Sequence, residues 1–584
     1  MCGILCCLSP TDEKLNSFSD RLEKMKNRGP DETVIKIVQS PNLTTFTCGF
    51  NRLAITDVLG GTQPIETDEW MCVHNGEFYT EGNEWLNEAS ESDSHILTNM
   101  TVNNAMNFPT DLNGIFAYCS YNKETETLYV ARDRFGVIPL YYVVERDTLA
   151  TANDDQIYDR IWFASEAKAL IGLGDINMFP PNTVMKVTLR NIRIQKETQK
   201  IHPPFPTADY KADEGISCDS VWHNQVEGYK CNMLKKFYRA IEIRYQDEVP
   251  WACALSGGLD STFVACLLKG YEESSNGYIE GADNVKTFSI GLPNSKELEV
   301  AKKIANPLGR HHSITVTVEE ALEVVPDVIW ALETYDVTTI RAGVMNYLLA
   351  KNMKKFGIKV VYSGEGSDEL FGGYLYFHHC PSPEAMQQEL IRKLNELCYY
   401  DCLRCNKAFA AWGIECRVPF LDKDFSNYIM KLNPVHKLSS THPDGKQQEK
   451  KILRDRLHFH LKHVNFDMNW GDTDLFCYRQ KDQFSDSVGK EWIEGLIQEA
   501  EKCVTDVELT EAEKIYPFQT PKTKEAYRYR KIFEDLFLCS GEHFVKYDNN
   551  TVACSTSVGA EWCKNVQKDP SGNYVKQSIK GNKI

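Results

Sequence analysis

Apolar residues change their spacing twice along this chain. Up to about residue 190 they come in short runs broken by turn signals: TFTCGF (45–50), WMCVHNG (70–76), GIFAYCSYN (114–122), TLYVARD (127–133), LYYVV (140–144) and IWFAS (161–165). Such runs predict strands, and their close succession predicts an α+β domain rich in antiparallel sheet. From about 196 to 225 the periodicity stops, and Pro203, Pro204 and Pro206 among charged and small residues predict a linker. From 226 the spacing turns helical: Leu234, Phe237, Tyr238, Ile241 and Tyr245 share one apolar face, and the strand VPWACAL (249–255) follows.

Helix and strand then alternate through STFVACLLK, VKTFSIGL, KELEVAKKIANPLG, SITVTV (313–318), helices over 320–356 and the strand IKVVY (358–362). This predicts an α/β doubly wound, mainly parallel sheet, whose ligands sit at the carboxyl ends of its strands. The stretch from about 375 to 470 is expected to be helical and to cover the sheet. KEWIEGLIQEAEKC (490–503) is polar and weakly periodic, and the last 40 or so residues are turn-rich.

A length of 584 residues at 42% hydrophobic content divides into two or three folding units. The net charge of −17 is spread along the chain, which argues against nucleic acid and membrane as partners. MCGILCCLSP has no basic, apolar leader character, and no later segment approaches the roughly 20 apolar residues of a membrane span, so a cytoplasmic protein is expected. The 20 Cys fall in apolar runs such as WACAL and FVACLL and read as reduced thiols. Cys398, Cys402 and Cys405 recur at helical spacing, but a structural zinc site needs about four ligands and these supply three at most.

Strand VPWACAL runs into Ser256-Gly257-Gly258-Leu259-Asp260-Ser261 and then a helix. Small residues let the backbone turn its N–H groups to one point, and the helix amino terminus favours phosphate there. Asp260 tolerates phosphate only with a divalent cation between them, which makes it a magnesium ligand candidate; taken alone, the loop would also read as a Gly-rich turn with Asp as helix cap. Strand IKVVY ends in a second small-residue loop, Ser363-Gly364-Glu365-Gly366-Ser367-Asp368-Glu369, with three carboxylates that repel one another unless cations lie among them. Two such loops on one sheet predict a nucleotide–metal cleft.

Removal of Met1 would leave Cys2 with a thiol and a free α-amine whose ordinary pKa is about 7.7–8.0, so one residue can supply nucleophile and base. Asn75 and Gly76 offer an oxyanion pair, and Arg52 and Asp93 could bind the carboxylate and amine of an amino acid. Alternatively Cys2, like Cys6 and Cys7, is an ordinary core thiol.

MCGI, RGPDE (28–32), NRLAITD (51–57), NGE (75–77), SDSHIL (92–97) and ARDRFGVIPLYY (131–142) resemble the class II glutamine amidotransferase domain. SGGLDS, TFSIGLPNS, DVTTIRAG, SGEGSDELFGGYLYFH, CLRCNKAFAAWGIECRVPFLD and EKKILR resemble the synthetase half of the asparagine synthetase B family. The resemblance implies an Ntn-hydrolase glutaminase domain of stacked antiparallel sheets over 2–195, a linker over 196–225, an ATP-pyrophosphatase-like synthetase domain over 226–545 and a tail over 546–584. It implies glutamine, aspartate and ATP as substrates, Mg2+ as cofactor, a homodimer, and asparagine, glutamate, AMP and pyrophosphate as products. Cys2 would attack the glutamine amide, with Asn75 and Gly76 on the oxyanion. Arg52, Leu53, Ile55, Glu77 and Asp93 would line the glutamine pocket.

In the second domain Leu255 and Ile290 would contact adenine or ribose, and Ser256, Gly257, Gly258, Asp260, Ser261, Ser363 and Gly364 the phosphates, with magnesium on Asp260 and Asp368. Ammonia would pass through an internal tunnel with Arg28 at its mouth. Glu365 would take ammonia's extra proton, Lys450 would stabilise the transition state, and Arg417 would assist. Asn27 stands where the family usually has His, and RAGVMNYLLA (341–350) departs from the family pattern. The rival readings are a β-lactam-forming relative, which would lack Cys2 and Lys450, and a silent member of the fold, which would have lost the acids of SGEGSDE.

Overall fold

The computed structural model describes residues 1–10, 15–41, 44–79, 92–150, 155–190, 192–207, 232–245, 248–276, 285–441, 447–463, 472–479, 490–537 and 557–563. Gly3–Ser9 is buried along its whole length, and the reason lies in its alternation. Ile4, Cys6 and Leu8 enter one apolar core, while Leu5 and Cys7 enter another on the opposite side, as the two-residue period of a strand requires. The strand is central in an antiparallel sheet ordered Asn177–Met178, Tyr141–Ala150, Asp155–Ala164, Gly3–Ser9, Thr45–Arg52, Glu32–Gln39. A second antiparallel sheet runs Arg193–Lys200, Thr183–Arg190, Thr127–Arg132, Gly114–Asn122, Trp70–Phe78, Ile65–Glu66.

The sheets face each other across a shared core. Phe46 of the first stacks on Tyr121 of the second at a centroid distance of 4.9 Å, among Cys48, Phe50, Val73, Cys119 and Val130. The outer edge strand Arg193–Lys200 is charged and mostly exposed, which blunts an edge that could otherwise pair with another chain. That strand runs five residues into the stretch expected as linker, and residues 208–225 of that stretch lie outside the described residues.

The second half builds a five-stranded sheet, all parallel, ordered His311–Thr315, Thr287–Gly291, Trp251–Ala254, Val360–Tyr362, Glu415–Arg417. The chain starts in the middle, grows to one side, then returns to the other, so the order reverses beside Trp251–Ala254. Helix Asn232–Glu242 precedes it and buries Leu234, Phe237 and Ile241 of the expected face.

Two expectations need correction, and one unassigned stretch gains an element. Glu415–Arg417, inside the stretch read as wholly helical, is the fifth parallel strand; two of its three residues are charged, so nothing in its composition marks it. The strand read as SITVTV ends at Thr315, because Thr317 caps a helix from Val318 in a reciprocal capping box with Glu320. KEWIEGLIQEAEKC is a helix, Lys490–Cys503, whose Trp492, Leu496 and Ala500 are buried on one face. Of the tail, helix Ser557–Trp562 is described, and Trp562 packs on Tyr376 and Phe377. Among the described residues no helix is long and apolar enough to cross a membrane.

Candidate active sites

Because Gly3–Ser9 is central, the residues before it emerge into the interior. The α-amine of Met1 is buried 3.5 Å from Glu415 Oε2, and burial lowers its pKa. Cys2 Sγ accepts the Leu53 N–H at 3.4 Å. Burial pushes its thiol up, and the adjacent amino terminus pulls it back down. Arg28 donates from Nε to the Cys2 carbonyl at 2.9 Å, from Nη1 to Glu166 at 3.0 Å and from Nη2 to Asn406 Oδ1 at 3.1 Å.

The expected glutamine-pocket residues lie around this end of the strand. Leu53 and Ile55 are buried. Asn75 Nδ2 donates to Ser165 Oγ at 3.3 Å, and that hydroxyl accepts the Ile4 N–H at 3.0 Å; Asn75 Oδ1 is buried without a partner among the described residues. Gly76 adopts φ 121°, and a Cβ there would fall 1.9 Å from the Ile115 carbonyl oxygen, so only glycine fits. Glu77 is 3.1 Å from Arg417 Nη2; burial, with Glu415 and Asp93 nearby, raises its carboxyl far above the ordinary range. Asp93 accepts the Phe78 N–H at 2.8 Å, and burial lifts it to about 6. Arg52 is occupied locally, donating to the Asp57 carbonyl at 2.6 Å.

A cavity of about 220 Å³ opens where the parallel sheet reverses, the place where such sheets hold ligands. Leu255, Ser256, Asp260, Ser261, Ile290, Ser363, Gly364, Glu365, Asp368 and Lys450 all line it. Gly257 and Gly258 form the turn beneath: Gly257 takes φ 74° and its carbonyl accepts Arg479 Nη2 at 3.2 Å, while the Gly258 carbonyl accepts Ser261 Oγ at 3.2 Å. The two loops touch, since a Cβ on Gly364 would meet the Asp260 backbone at 2.8 Å.

Lys450, in the left-handed region at φ 56°, places Nζ 2.7 Å from Asp260 Oδ1 and 2.6 Å from Asp368 Oδ1. Burial works against its charge, but the two carboxylates together push the ammonium above the ordinary lysine range. Burial raises Asp368, opposed by Lys450, and raises Glu365, opposed by Arg404 at 2.8 Å. Glu369, buried beside Asp401 and Asp368, is lifted to about 8.

Residues 1–205 match the glutamine amidotransferase domain, and residues 232–383 and 379–557 match asparagine synthase. An Arabidopsis thaliana glutamine-hydrolysing asparagine synthetase is 35% identical over 98% of this chain and 94% of its own. Asparagine synthetase B of Escherichia coli is 35% identical over 94% of both chains. The glutamine-hydrolysing asparagine synthetase of Asparagus officinalis is 35% identical over 98% of this chain and 92% of its own. The chain belongs to the glutamine-hydrolysing asparagine synthetase family. It is thereby a carbon–nitrogen ligase, with ATP as co-substrate.

Within this family frame, the magnesium expectation can be weighed on the donor set. Asp260 and Asp368 turn their Oδ1 atoms to the Lys450 ammonium and keep 26% and 39% of their side chains exposed, so a cation would take their other carboxylate oxygens. Two hard oxygen donors with room for phosphate oxygens and water fit Mg2+, which keeps several non-protein ligands. The cysteines do not make a comparable set. Cys402 and Cys405 are buried in helix Asp401–Ala410, Cys405 Sγ lies 2.9 Å from Cys416 Sγ, and among the described residues no group of three or more His, Cys, Asp or Glu has the geometry to hold a metal.

Sequence reasoning missed Asp401, Arg404, Glu449 and Arg479 on the cavity wall, while Glu369 of the second loop stands there as expected. Arg404 pairs with Asp401 at 3.1 Å one helical turn away, a spacing visible in DCLR, but nothing local says that this turn faces a site. Of the departures from the family pattern, Asn27 lies away from the cavity, whereas Ala342, Asn346 and Leu349 of the segment 341–350 line it. Asn27 is exposed beside Gly413. Gly343 lets its helix, Val337–Lys355, approach Leu332, whose Cδ1 would lie 2.4 Å from a Cβ there. Arg341 is buried on Glu525, with Nη2 at 2.6 Å, rather than in the cavity.

Proposed function

We propose that this chain makes asparagine from aspartate and ATP with nitrogen taken from glutamine. Asp260, Asp368 and Lys450, converging at the carboxyl ends of two adjacent parallel strands, are the observation that carries the reading. Cys2 is the nucleophile of the first reaction. Once Met1 is removed, the α-amine of Cys2 takes the thiol proton, sulfur bonds to the glutamine amide carbon, and the α-ammonium gives that proton to the amide nitrogen as the carbon–nitrogen bond breaks to release ammonia. Asn75 and the Gly76 N–H hold the oxyanion; a turn of the Asn75 amide exchanges its unpartnered oxygen for an N–H. Water then releases glutamate and restores the thiol. Arg52, Leu53, Ile55, Glu77 and Asp93 form the pocket, with the Asp93 carboxylate on the substrate ammonium.

In the cavity Leu255 and Ile290 take the nucleoside, and the turn at Ser256, Gly257, Gly258 and Ser261, with Ser363 and Gly364, takes the phosphates. An aspartate β-carboxylate oxygen bonds to the α-phosphorus as the bond to pyrophosphate breaks, and Lys450 stabilises the charge that develops there. Asp260 and Asp368 would hold Mg2+, which supplies charge neutralisation for the leaving pyrophosphate when bound. Ammonia, arriving past Arg28, attacks the acyl-adenylate; AMP leaves and Glu365 takes the extra proton, a role suited to a carboxylate whose affinity for protons burial has raised. The proposal extends to the finer folds, Ntn-hydrolase and ATP-pyrophosphatase-like, and to a cytoplasmic homodimer, with the family likeness as its support.

Incubation with glutamine, aspartate, ATP and magnesium should give asparagine, glutamate, AMP and pyrophosphate. Cys2→Ala should abolish the glutamine-driven route and leave synthesis from ammonium intact. Unchanged glutamine-driven synthesis in that variant, or ADP in place of AMP, would overturn the reading.

A further inference from the structure

Along the strand Trp70–Phe78 the side chains alternate between two cores. Met71 and Val73 enter the core shared by the two sheets, while Trp70, Cys72 and Phe78 face the other way, and His74 shares their register. It is the polar member of an apolar row. The ring is 1% exposed and stacks on Phe78 with centroids 4.3 Å apart.

The hydrogen bonds around this ring fix where its proton sits. The His74 backbone N–H can only donate, so the Gln63 atom that accepts it at 2.7 Å is Oε1, and Gln63 Nε2 then donates to Ser94 Oγ at 2.9 Å. The Ser94 hydroxyl gives its own hydrogen to His74 Nδ1 at 3.0 Å, which is closer than Asp93 Oδ1 at 3.5 Å. Burial pushes the imidazole down to about 3, so the ring is neutral and carries its one proton on Nε2. That N–H is buried without a hydrogen-bond partner among the described residues, and Asp93 Oδ2 lies 4.0 Å from it. A shift of about 1 Å would pair a donor that is costly to leave unpaired.

Asp93 has use for it. Oδ2 accepts the Phe78 N–H at 2.8 Å and Oδ1 the Ser92 hydroxyl at 3.3 Å, but the charged groups facing this carboxylate are Glu77 and Glu415, which oppose its ionisation. The nearby cations are already taken: Arg417 by Glu77 and Glu415, and the amino terminus by Glu415. We infer that His74 is a positioning residue for glutamine recognition, its Nε2–H closing on Asp93 Oδ2 as the substrate's α-ammonium binds and holding that carboxylate ionised and aimed at the pocket. The inference rests on the pocket assigned to Asp93 above. A buried donor interacts most strongly with a full negative charge, so the contact tightens as the ammonium draws Asp93 into its ionised form. His74 itself transfers no proton.

The test is steady-state glutamine hydrolysis as a function of pH, beside synthesis from ammonium. His74→Phe keeps the ring volume and the stack on Phe78 but removes the donor. At neutral pH it should raise the KM for glutamine roughly threefold to tenfold with kcat within about twofold, and the pH below which KM climbs should move from about 6 to about 7. His74→Gln puts an amide N–H where Nε2 stands and should bring both back to about the parent values, and synthesis from ammonium should be unaltered in either variant. Parent-like KM and pH dependence in His74→Phe overturn the inference, as does a fall in kcat at unchanged KM, or a His74→Gln that behaves as His74→Phe does, since each marks a packing role. If His74→Phe gives no folded protein, Ser94→Ala decides: without the hydroxyl on Nδ1 the ring is free to move its proton there, so KM should rise, and an unchanged KM overturns the inference. Unchanged KM in Asp93→Asn would instead sink the pocket assignment on which it rests.

Discussion

Gly373 has no room for a side chain. A Cβ there would fall 1.8 Å from Asp368 Oδ1 and 2.0 Å from Lys450 Cε, so Gly373→Ala must displace one of the groups that define the cleft. Aspartate-dependent pyrophosphate release should drop by about a hundredfold, the usual scale for misplaced catalytic groups, while glutamine hydrolysis persists; release within twofold of the parent would refute this. Asp93 makes a prediction in pH. Burial lifts it to about 6, so below that value it is protonated and cannot hold a substrate ammonium. The KM for glutamine should therefore rise as pH falls through about 6, with no matching change in synthesis from ammonium compared at equal free-ammonia concentration. Glu369 bears on stability. Its folded pKa of about 8 stands above the ordinary 4.5, so across this window the folded chain holds a proton that the unfolded chain has lost. This group's contribution to stability is therefore present at low pH and lost as pH rises toward 8. Glu369→Gln should flatten the fall in Tm between pH 5 and 8; an unaltered slope would count against it.

Helix Asn232–Glu242 shows how much one element's periodicity determines. Phe237 is fully buried, with the rings of Phe263, Phe420 and Phe425 centred 4.9, 4.7 and 4.9 Å away. Phe237→Ala should cost about 3–5 kcal/mol, read as a lower urea midpoint at unchanged slope. The helix was legible because its apolar face stands against charged neighbours. The strand Glu415–Arg417 was not, because Glu415 and Arg417 are drawn into the interior by partners far away in sequence, the Met1 amine and Glu77. Helix Lys490–Cys503 sits between these cases: three buried residues among eleven others make a face only once a second surface is there to cover it.

Both reactions belong to one continuous interior. The Met1 amine of the first domain lies on Glu415 of the second, and Lys359 of the second on Asp31 of the first at 2.8 Å. A chain kept from losing Met1, made in cells whose methionine aminopeptidase is inhibited, should still form asparagine from ammonium but not from glutamine; mass spectrometry of the amino terminus with both assays checks this. The amino-acid order alone determined the two domains and the parallel sheet with the two small-residue loops that edge the cavity, because each is written in contiguous residues whose spacing or backbone freedom has a local cause. Only the tertiary structure decided that Lys450 stands between Asp260 and Asp368, 190 and 82 positions away, that Arg404 and Asn406 of one helix serve two different sites, and that Arg28 is fixed from both domains. Those contacts depend on how sheets and helices pack, and packing is settled by the complementarity of whole surfaces, which no local stretch of sequence carries.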